Sequence, residues 1–324
     1  MTARILLMDC TDPHVNLAAE EALLLGAPKD CATLFLWQNA HTVVIGAGQN
    51  AFAECRVGLL REEGGTLARR STGGGAVYHD MGNLNFSFIV PSALYDVARQ
   101  LSVVTRAVAA FGIPAEPSGR NDVTANGCKF SGNAFRLLRE SCLHHGTLLV
   151  DADFSKMARY LSVSQDKLRA KGVKSVRSRV VNLSELGNVT VESLREEMMR
   201  AFAAEYGQAE VSDVLSLGLP GLDEAISRYR SDAWNLGRSP MGSVHVSGRA
   251  KECGIALYAD TEGGKLTNCK IFTDSMDETL AGRLEEALCG CMFLQSAMYE
   301  RTKGFGEDIA RCVASFADLG EGEA

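Results

Sequence analysis

From Asn83 to Phe88 polar and apolar residues alternate: Leu84, Phe86 and Phe88 fall on one side, Asn83, Asn85 and Ser87 on the other. A period of two predicts a half-buried strand over 83–89 with one polar face. Upstream, Leu17, Ala18, Ala22 and Leu25 recur at helical spacing. Asp12-Pro13 supplies a cap and a first-turn proline, and Gly26 a stop, so one helix lies between them. Residues 33–37 and 42–45 read as short strands, the second ended by Gly46-Ala47-Gly48-Gln49-Asn50. Leu101, Val104, Val108 and Phe111 predict a second helix, stopped by Gly112 and Pro114. Residues 118–122 read as a loop, 129–135 and 146–150 as strands. Thr190 caps a helix carrying Leu194, Met198 and Phe202, ended by Gly207. A boundary is expected near 238–250. Beyond it come a hairpin (254–260 with 265–272, turned by Glu262-Gly263-Gly264), helical stretches from Asp277 and Met292, and a frayed end at 320–324.

Composition adds limits. The 324 residues suffice for two domains, and the 46% hydrophobic and 23% charged content is that of a soluble globular chain. No apolar run reaches bilayer-spanning length, and Asp9, Asp12 and Pro13 interrupt the N-terminal apolar run, so neither a membrane span nor a signal peptide is expected. The ten cysteines show no paired metal spacing and read as reduced thiols, mostly buried. A net charge of −7 disfavours general nucleic-acid binding.

Four stretches could carry chemistry. Arg69-Arg70-Ser71-Thr72-Gly73-Gly74-Gly75-Ala76-Val77-Tyr78-His79-Asp80 places three glycines between two arginines and a strand. Glycine lets a ligand approach the backbone, and arginine grips carboxylates or phosphates, so an anionic, phosphate-bearing ligand is expected. The glycine spacing fits neither a P-loop nor a dinucleotide fingerprint. Asn121-Asp122 and Lys129-Phe130-Ser131-Gly132-Asn133-Ala134 could supply an ammonium for a phosphate or oxyanion and, at Asp122, a ligand for magnesium bridging phosphates. Six basic residues lie between 167 and 179, either a solvated face or a loop closing over phosphate. His144 and His145, adjacent on a strand, point to opposite faces and are poorly placed to share a metal. Cys128, with no identified base, is read as inert.

Taken together, these motifs resemble the lipoate–protein ligase A family, within the biotinyl/lipoyl ligase and transferase superfamily. Lys171 to Leu183, His144 to Leu149, Trp234-Asn235 and Phe272-Thr273-Asp274-Ser275 extend the likeness over nearly the whole chain, in the family's order. The resemblance implies an α+β fold: a large catalytic domain over 1–243, with a mixed, mostly antiparallel sheet flanked by helices, and a small α+β accessory domain over 244–324. It implies a two-step reaction. Lipoate and ATP, with Mg2+, give lipoyl-adenylate and pyrophosphate; a lysine of an apo lipoyl domain then takes the lipoyl group and AMP leaves. Acceptors would be lipoyl domains of 2-oxoacid dehydrogenase E2 subunits and the glycine cleavage H protein.

By position, the resemblance assigns Lys129 the catalytic role, with contacts to both adenylate phosphate and lipoyl carbonyl. It assigns ATP or adenylate contacts to Arg70, Gly75, Ala76, Val77, Tyr78, Asn121, Asp122, Ser178, Arg179 and Val180. Val44, Gly74 and His79 would line the lipoate site, and Asp122 would hold magnesium. One departure is Ala47-Gly48, where the family often carries an arginine. A cytoplasmic monomer with no tightly bound prosthetic group, nucleic acid or membrane partner is expected. Two rivals remain: an octanoyl or lipoyl transferase independent of ATP, and a noncatalytic lipoyl-domain-binding protein. A biotin ligase fits less well, because its glycine-arginine loop differs.

Overall fold

The computed structural model describes residues 2–119, 121–161, 180–236, 244–262 and 265–319. The chain divides into two compact units: Met1–Val44, Glu54–Arg69 and Val77–Asn235 form the first, Ile45–Ala53, Arg70–Ala76 and Leu236–Ala324 the second.

Strands of the first unit, in chain order, are β1 Thr2–Leu7, β2 Cys31–Trp37, β3 Thr42–Ile45, β4 Thr66–Arg69, β5 Val77–His79, β6 Asn83–Pro91, β7 Ala115–Ser118, β8 Asp122–Ala125, β9 Cys128–Leu137, β10 Ser141–Leu149 and β11 Ala209–Asp213. Eight of them make one sheet in the order β11-β1-β2-β6-β10-β9-β8-β7. β1 runs parallel to β2 and β11; the other neighbours are antiparallel. A small sheet holds β4-β3-β5. Its longer helices are α1 Pro13–Leu25, α2 Val97–Ala109, α3 Val191–Tyr206 and α4 Leu222–Arg230.

The alternation in β6 decides how these layers stack. Leu84, Phe86 and Phe88 pack with Val104 and Val108 of α2 and with Leu194, Met198 and Phe202 of α3. Ile89 of the opposite face joins Phe35, Trp37 and Leu143 against Leu17, Ala18, Leu23 and Leu24 of α1. Each such side chain contributes roughly 1.5–3 kcal/mol through burial.

Helix α1 is bracketed as its punctuation predicts: the Asp12 carboxylate accepts from the His14 amide and the Gly26 amide donates to Ala22. Its buried surface differs from the expected stripe. Leu25 is 67% exposed, while Ala19, Leu23, Leu24 and the carboxylate-bearing Glu20 are buried. The helix is covered by the sheet and by Leu222, Ala225, Ile226 and Tyr229 of α4, so more than one stripe is buried. The polar side of β6 is also buried along its length instead of half-exposed. The segment expected as a loop at 118–122 contains the end of β7 and the start of β8. β10 begins at Ser141, well before the expected 146, because buried partners accommodate its two histidines.

In the second unit β12 Val244–Arg249, β13 Gly254–Glu262 and β14 Lys265–Thr273 form an antiparallel sheet. Helices α5 Leu280–Leu288, α6 Gln295–Thr302 and α7 Glu307–Ala314 supply Leu284, Leu288, Met298 and Val313 to a core with Leu257, Ile271 and Phe316. β12 occupies part of the stretch expected as a boundary. Gly263-Gly264 and 320–324 lie outside the described residues. The architecture is α+β: a mixed, mostly antiparallel sheet flanked by helices, and a small C-terminal α+β unit.

Candidate active site

Register across the large sheet creates one row of aligned positions. Trp37 pairs with Asn85, Asn85 with Thr147, Thr147 with Gly132, and Gly132 with Asp122. Directly paired residues share a face, so β2, β6, β10, β9 and β8 each place one residue on this row. Lys129 lies on β9, and its Nζ reaches 2.6 Å from Asp122 Oδ1. The contact is an ion pair poorly aligned as a hydrogen bond. Both side chains are about a third exposed (35% and 38%), so a ligand can reach the ammonium. Asn121 is fixed beside them: its carbonyl accepts from the Asn133 amide at 2.7 Å and from Asn133 Nδ2 at 3.0 Å.

Buried asparagines lie farther along the same face. Asn83 Nδ2 donates to Asn85 Oδ1 at 2.9 Å. Asn85 Nδ2 and Asn83 Oδ1 have no partner among the described residues. A buried amide left unpaired is costly, so a polar group reaching this face would find two bonding positions there. The alternation of β6 was the one sequence signal for them.

The row next to it is structural. Ser87 Oγ donates to Glu20 Oε1 at 2.5 Å, Trp37 Nε1 donates to Ser87 Oγ at 3.0 Å, and His145 Nδ1 lies 2.8 Å from the same Glu20 oxygen. His144 faces the other way, between Gln100 Oε1 at 2.9 Å and Asn133 Oδ1 at 2.8 Å. Full burial drives its pKa down to about 3, so it is neutral. The opposed histidines are as the strand period requires.

The small sheet holds four further expected positions, Val44, Val77, Tyr78 and His79. Val44 pairs with Val77 and Thr42 with His79. His79 is buried, with Nδ1 3.1 Å from Asn39 Nδ2 and its ring edge-on to Trp37. Val44 is buried in the α1-side core. Tyr78 is buried with its ring against His41 and Tyr160, and burial raises its phenol pKa.

Arg69 and Arg70 diverge. Arg69 Nη2 donates to the Asn235 carbonyl at 2.8 Å, and its amide donates to Asn235 Oδ1 at 2.8 Å. Trp234 Nε1 in turn donates to the Arg69 carbonyl. No local pattern reveals a clasp between residues so far apart in the chain. Arg70, in the second unit, is buried and turns its guanidinium onto Thr72 Oγ1, the Gly73 carbonyl and the Gly75 carbonyl. It therefore shapes the glycine loop, and any anion held there meets a loop already organised by this charge.

The glycines of that loop are not equivalent. A Cβ on Gly73 would meet the Ser275 carbonyl oxygen at 2.3 Å, and one on Gly46 the Gly74 carbonyl oxygen at 2.2 Å. Gly74 adopts a φ of 93° and donates its amide to Ser275. Gly75 is exposed with open space above it, and Ala76 is half-buried. Close packing thus claims Gly46, Gly73 and Gly74, whereas Gly75 leaves backbone open to a ligand.

Ser178 and Arg179, with most of the basic segment, lie outside the described residues. Val180 bridges Lys129 in parallel, and the Val181 amide donates to the Lys129 carbonyl at 3.0 Å. All ten cysteines are free thiols; Cys128 is half-buried, and burial pushes Cys55 and Cys269 up to about 12. Among the described residues no group of three His, Cys, Asp or Glu is arranged for a metal, and no helix is long and apolar enough to cross a membrane.

The site is thus a lysine-bearing sheet face with unpaired buried amides, in a mixed sheet flanked by helices. Residues 12–203 match the lipoyl protein ligase A/B catalytic domain and 239–310 the bacterial lipoate protein ligase C-terminus. The chain belongs to the lipoyl protein ligase A/B family and is an enzyme of that family. It is similar to LipL1 of P. falciparum, solved in complex with lipoate: 25% identity, TM-score 0.82, covering 98% of this chain and 99% of that one. A bipartite lipoate protein ligase of Thermoplasma acidophilum, described with its E2 lipoyl domain, is 29% identical with a TM-score of 0.65 over 75% of this chain and 100% of its own. A lipoate-protein ligase A bound with ATP is 26% identical with a TM-score of 0.63, over 73% and 99%.

Proposed function

We propose that this protein ligates free lipoate to a lysine of apo lipoyl domains, using ATP and passing through lipoyl-adenylate. The observation that carries the reading is the Lys129 ammonium, accessible on the same sheet face as the unpartnered Asn85 amide. The solved relatives that hold lipoate, ATP or a lipoyl domain support the choice of ligands.

The charge problem explains the residues. In the first step a lipoate carboxylate oxygen attacks the α-phosphorus of ATP; a bond to that phosphorus forms and pyrophosphate leaves with the broken bond's electron pair. Two anions must meet, and the Lys129 ammonium neutralises charge where it develops. In the second step an acceptor amine attacks the acyl carbon, loses a proton, and AMP leaves as the amide forms. Lys129 again lies against carbonyl and phosphate oxygens. The open backbone at Gly75, with Ala76, Val77 and Tyr78, is assigned to ATP or adenylate, along with Arg70, Asn121, Ser178, Arg179 and Val180. Gly74, His79 and Val44 are assigned to lipoate. Residues 1–243 form the catalytic domain and 244–324 the accessory one in this reading.

Asp122, a partly exposed carboxylate, would be the residue to hold a magnesium ion. Bound there, the ion would offset phosphate charge.

Acceptors would be lipoyl domains of 2-oxoacid dehydrogenase E2 subunits and the glycine cleavage H protein. With a net charge of −7, docking relies on local basic residues. The test is incubation with lipoate, ATP, magnesium and an apo lipoyl domain, read by intact mass and by pyrophosphate release. Acyl transfer without ATP would replace this reading with that of a transferase.

A further inference from the structure

Gly132 lies between Thr147 and Asp122 on the row described above. A Cβ at this position would meet Lys129 Nζ at 2.9 Å and Cε at 3.1 Å, with no other heavy atom within 4 Å among the described residues beyond its chain neighbours. Its φ lies outside the left-handed region, so the backbone itself accepts a side chain. Gly146, on the neighbouring strand, is different. There a Cβ would strike the Phe86 ring at 2.5 Å and Asn133 Oδ1 at 2.7 Å, so packing alone demands glycine. At Gly132, among the described residues beyond its chain neighbours, the end of the lysine occupies the space.

We propose that Gly132 is the positioning residue for Lys129: its bare Cα is the floor across which the lysine lies to bring its ammonium beside Asp122. A strand-interior glycine weakens a sheet unless something must approach the backbone closely. Here the thing that approaches is the protein's own side chain. The role in catalysis rests on the function proposed above; the placement of the lysine does not.

The test compares Gly132→Ala with the wild-type full-length chain. Lys129 acylation by an amine-selective reagent is followed across pH by peptide mass spectrometry, beside circular dichroism and ligation kinetics. The expected result is a native spectrum and a shifted pH profile of labelling at Lys129 alone. kcat falls at least about tenfold and KM for ATP stays within about threefold, because misplacing a reacting-site group mainly slows the chemical step. An unchanged labelling profile together with unchanged kcat overturns the proposal. If Gly132→Ala does not fold, the double variant Lys129→Ala/Gly132→Ala decides. Removing the lysine clears the obstructing atoms found among the described residues, so the double variant folds; its failure to fold overturns the proposal. If the wild-type chain shows no ATP-dependent ligation, the proposed function falls, and the labelling comparison still decides on Gly132.

Discussion

Glu20 and His145 meet in the interior of the large sheet: the ring Nδ1 lies 2.8 Å from a carboxylate oxygen that also accepts from Ser87. The acid sits on α1 and its two partners on β10 and β6, so the contact fastens a helix to two strands. Glu20→Ala takes a buried carboxylate acceptor away from both Ser87 and His145. The expected loss is about 2–4 kcal/mol in chemical denaturation. A loss below about 0.5 kcal/mol would show that the network contributes little.

Lys129→Ala has the opposite profile. The Lys129–Asp122 pair is about a third exposed and water-screened, so its removal changes stability by less than about 1 kcal/mol. Lipoate-dependent pyrophosphate release is expected to fall by at least about a hundredfold, since the lost ammonium acts on developing charge. Normal ligation by a folded variant would remove Lys129 from the catalytic role.

Acid sensitivity should trace in part to His144. Its folded pKa of about 3 lies below the ordinary 6.5, because burial disfavours the charged ring. As pH falls through 6.5 the unfolded chain takes up a proton that the folded chain refuses. Stability from this group is therefore fully present above that pH and is lost as pH drops toward 3, by up to about 1.4 kcal/mol per pH unit. Urea midpoints measured between about pH 4.5 and 7.5 should show the slope, and His144→Gln should flatten it. Equal slopes in both proteins would assign the acid sensitivity elsewhere.

Two substitutions two residues apart, Gly73→Ala and Gly75→Ala, should separate packing from ligand access. The first drives a methyl into the Ser275 and Met276 carbonyls and is expected to destabilise by about 1–3 kcal/mol or more. The second meets open space and should leave the melting temperature within about 2 °C. Under the proposed function it raises KM for ATP. A melting temperature lowered equally by both would mean that the loop tolerates no side chain anywhere.

What was legible in the sequence follows how local each cause is. Helix α1 was readable because Asp12, Pro13 and Gly26 act within one turn of its ends. Its buried surface was not, since Glu20 is buried by Ser87 and His145 of the sheet, and another part of the helix is covered by α4, some two hundred residues later in the chain. The polar side of β6 was visible as alternation. Which of its members meets Glu20 and which stays unpaired depends on the strands beside it, and pairing register is non-local. Arg70 read as an anion-gripping charge, and its turn onto the glycine loop was not visible because its acceptors there include backbone carbonyls that every residue carries. β12 was hidden in a stretch with turn-forming Pro240 and Gly242 just before it.

Residue 129 meets its surroundings in two independent ways. Its side chain reaches along β9 to Asp122, while its carbonyl receives the Val181 amide. A carbonyl is common to all twenty amino acids. The attachment of Val181 can therefore survive any replacement of the lysine side chain, including chemically installed lysine analogues. That makes position 129 suited to titrating reactivity by synthetic side chains of graded basicity, with the main-chain frame held constant.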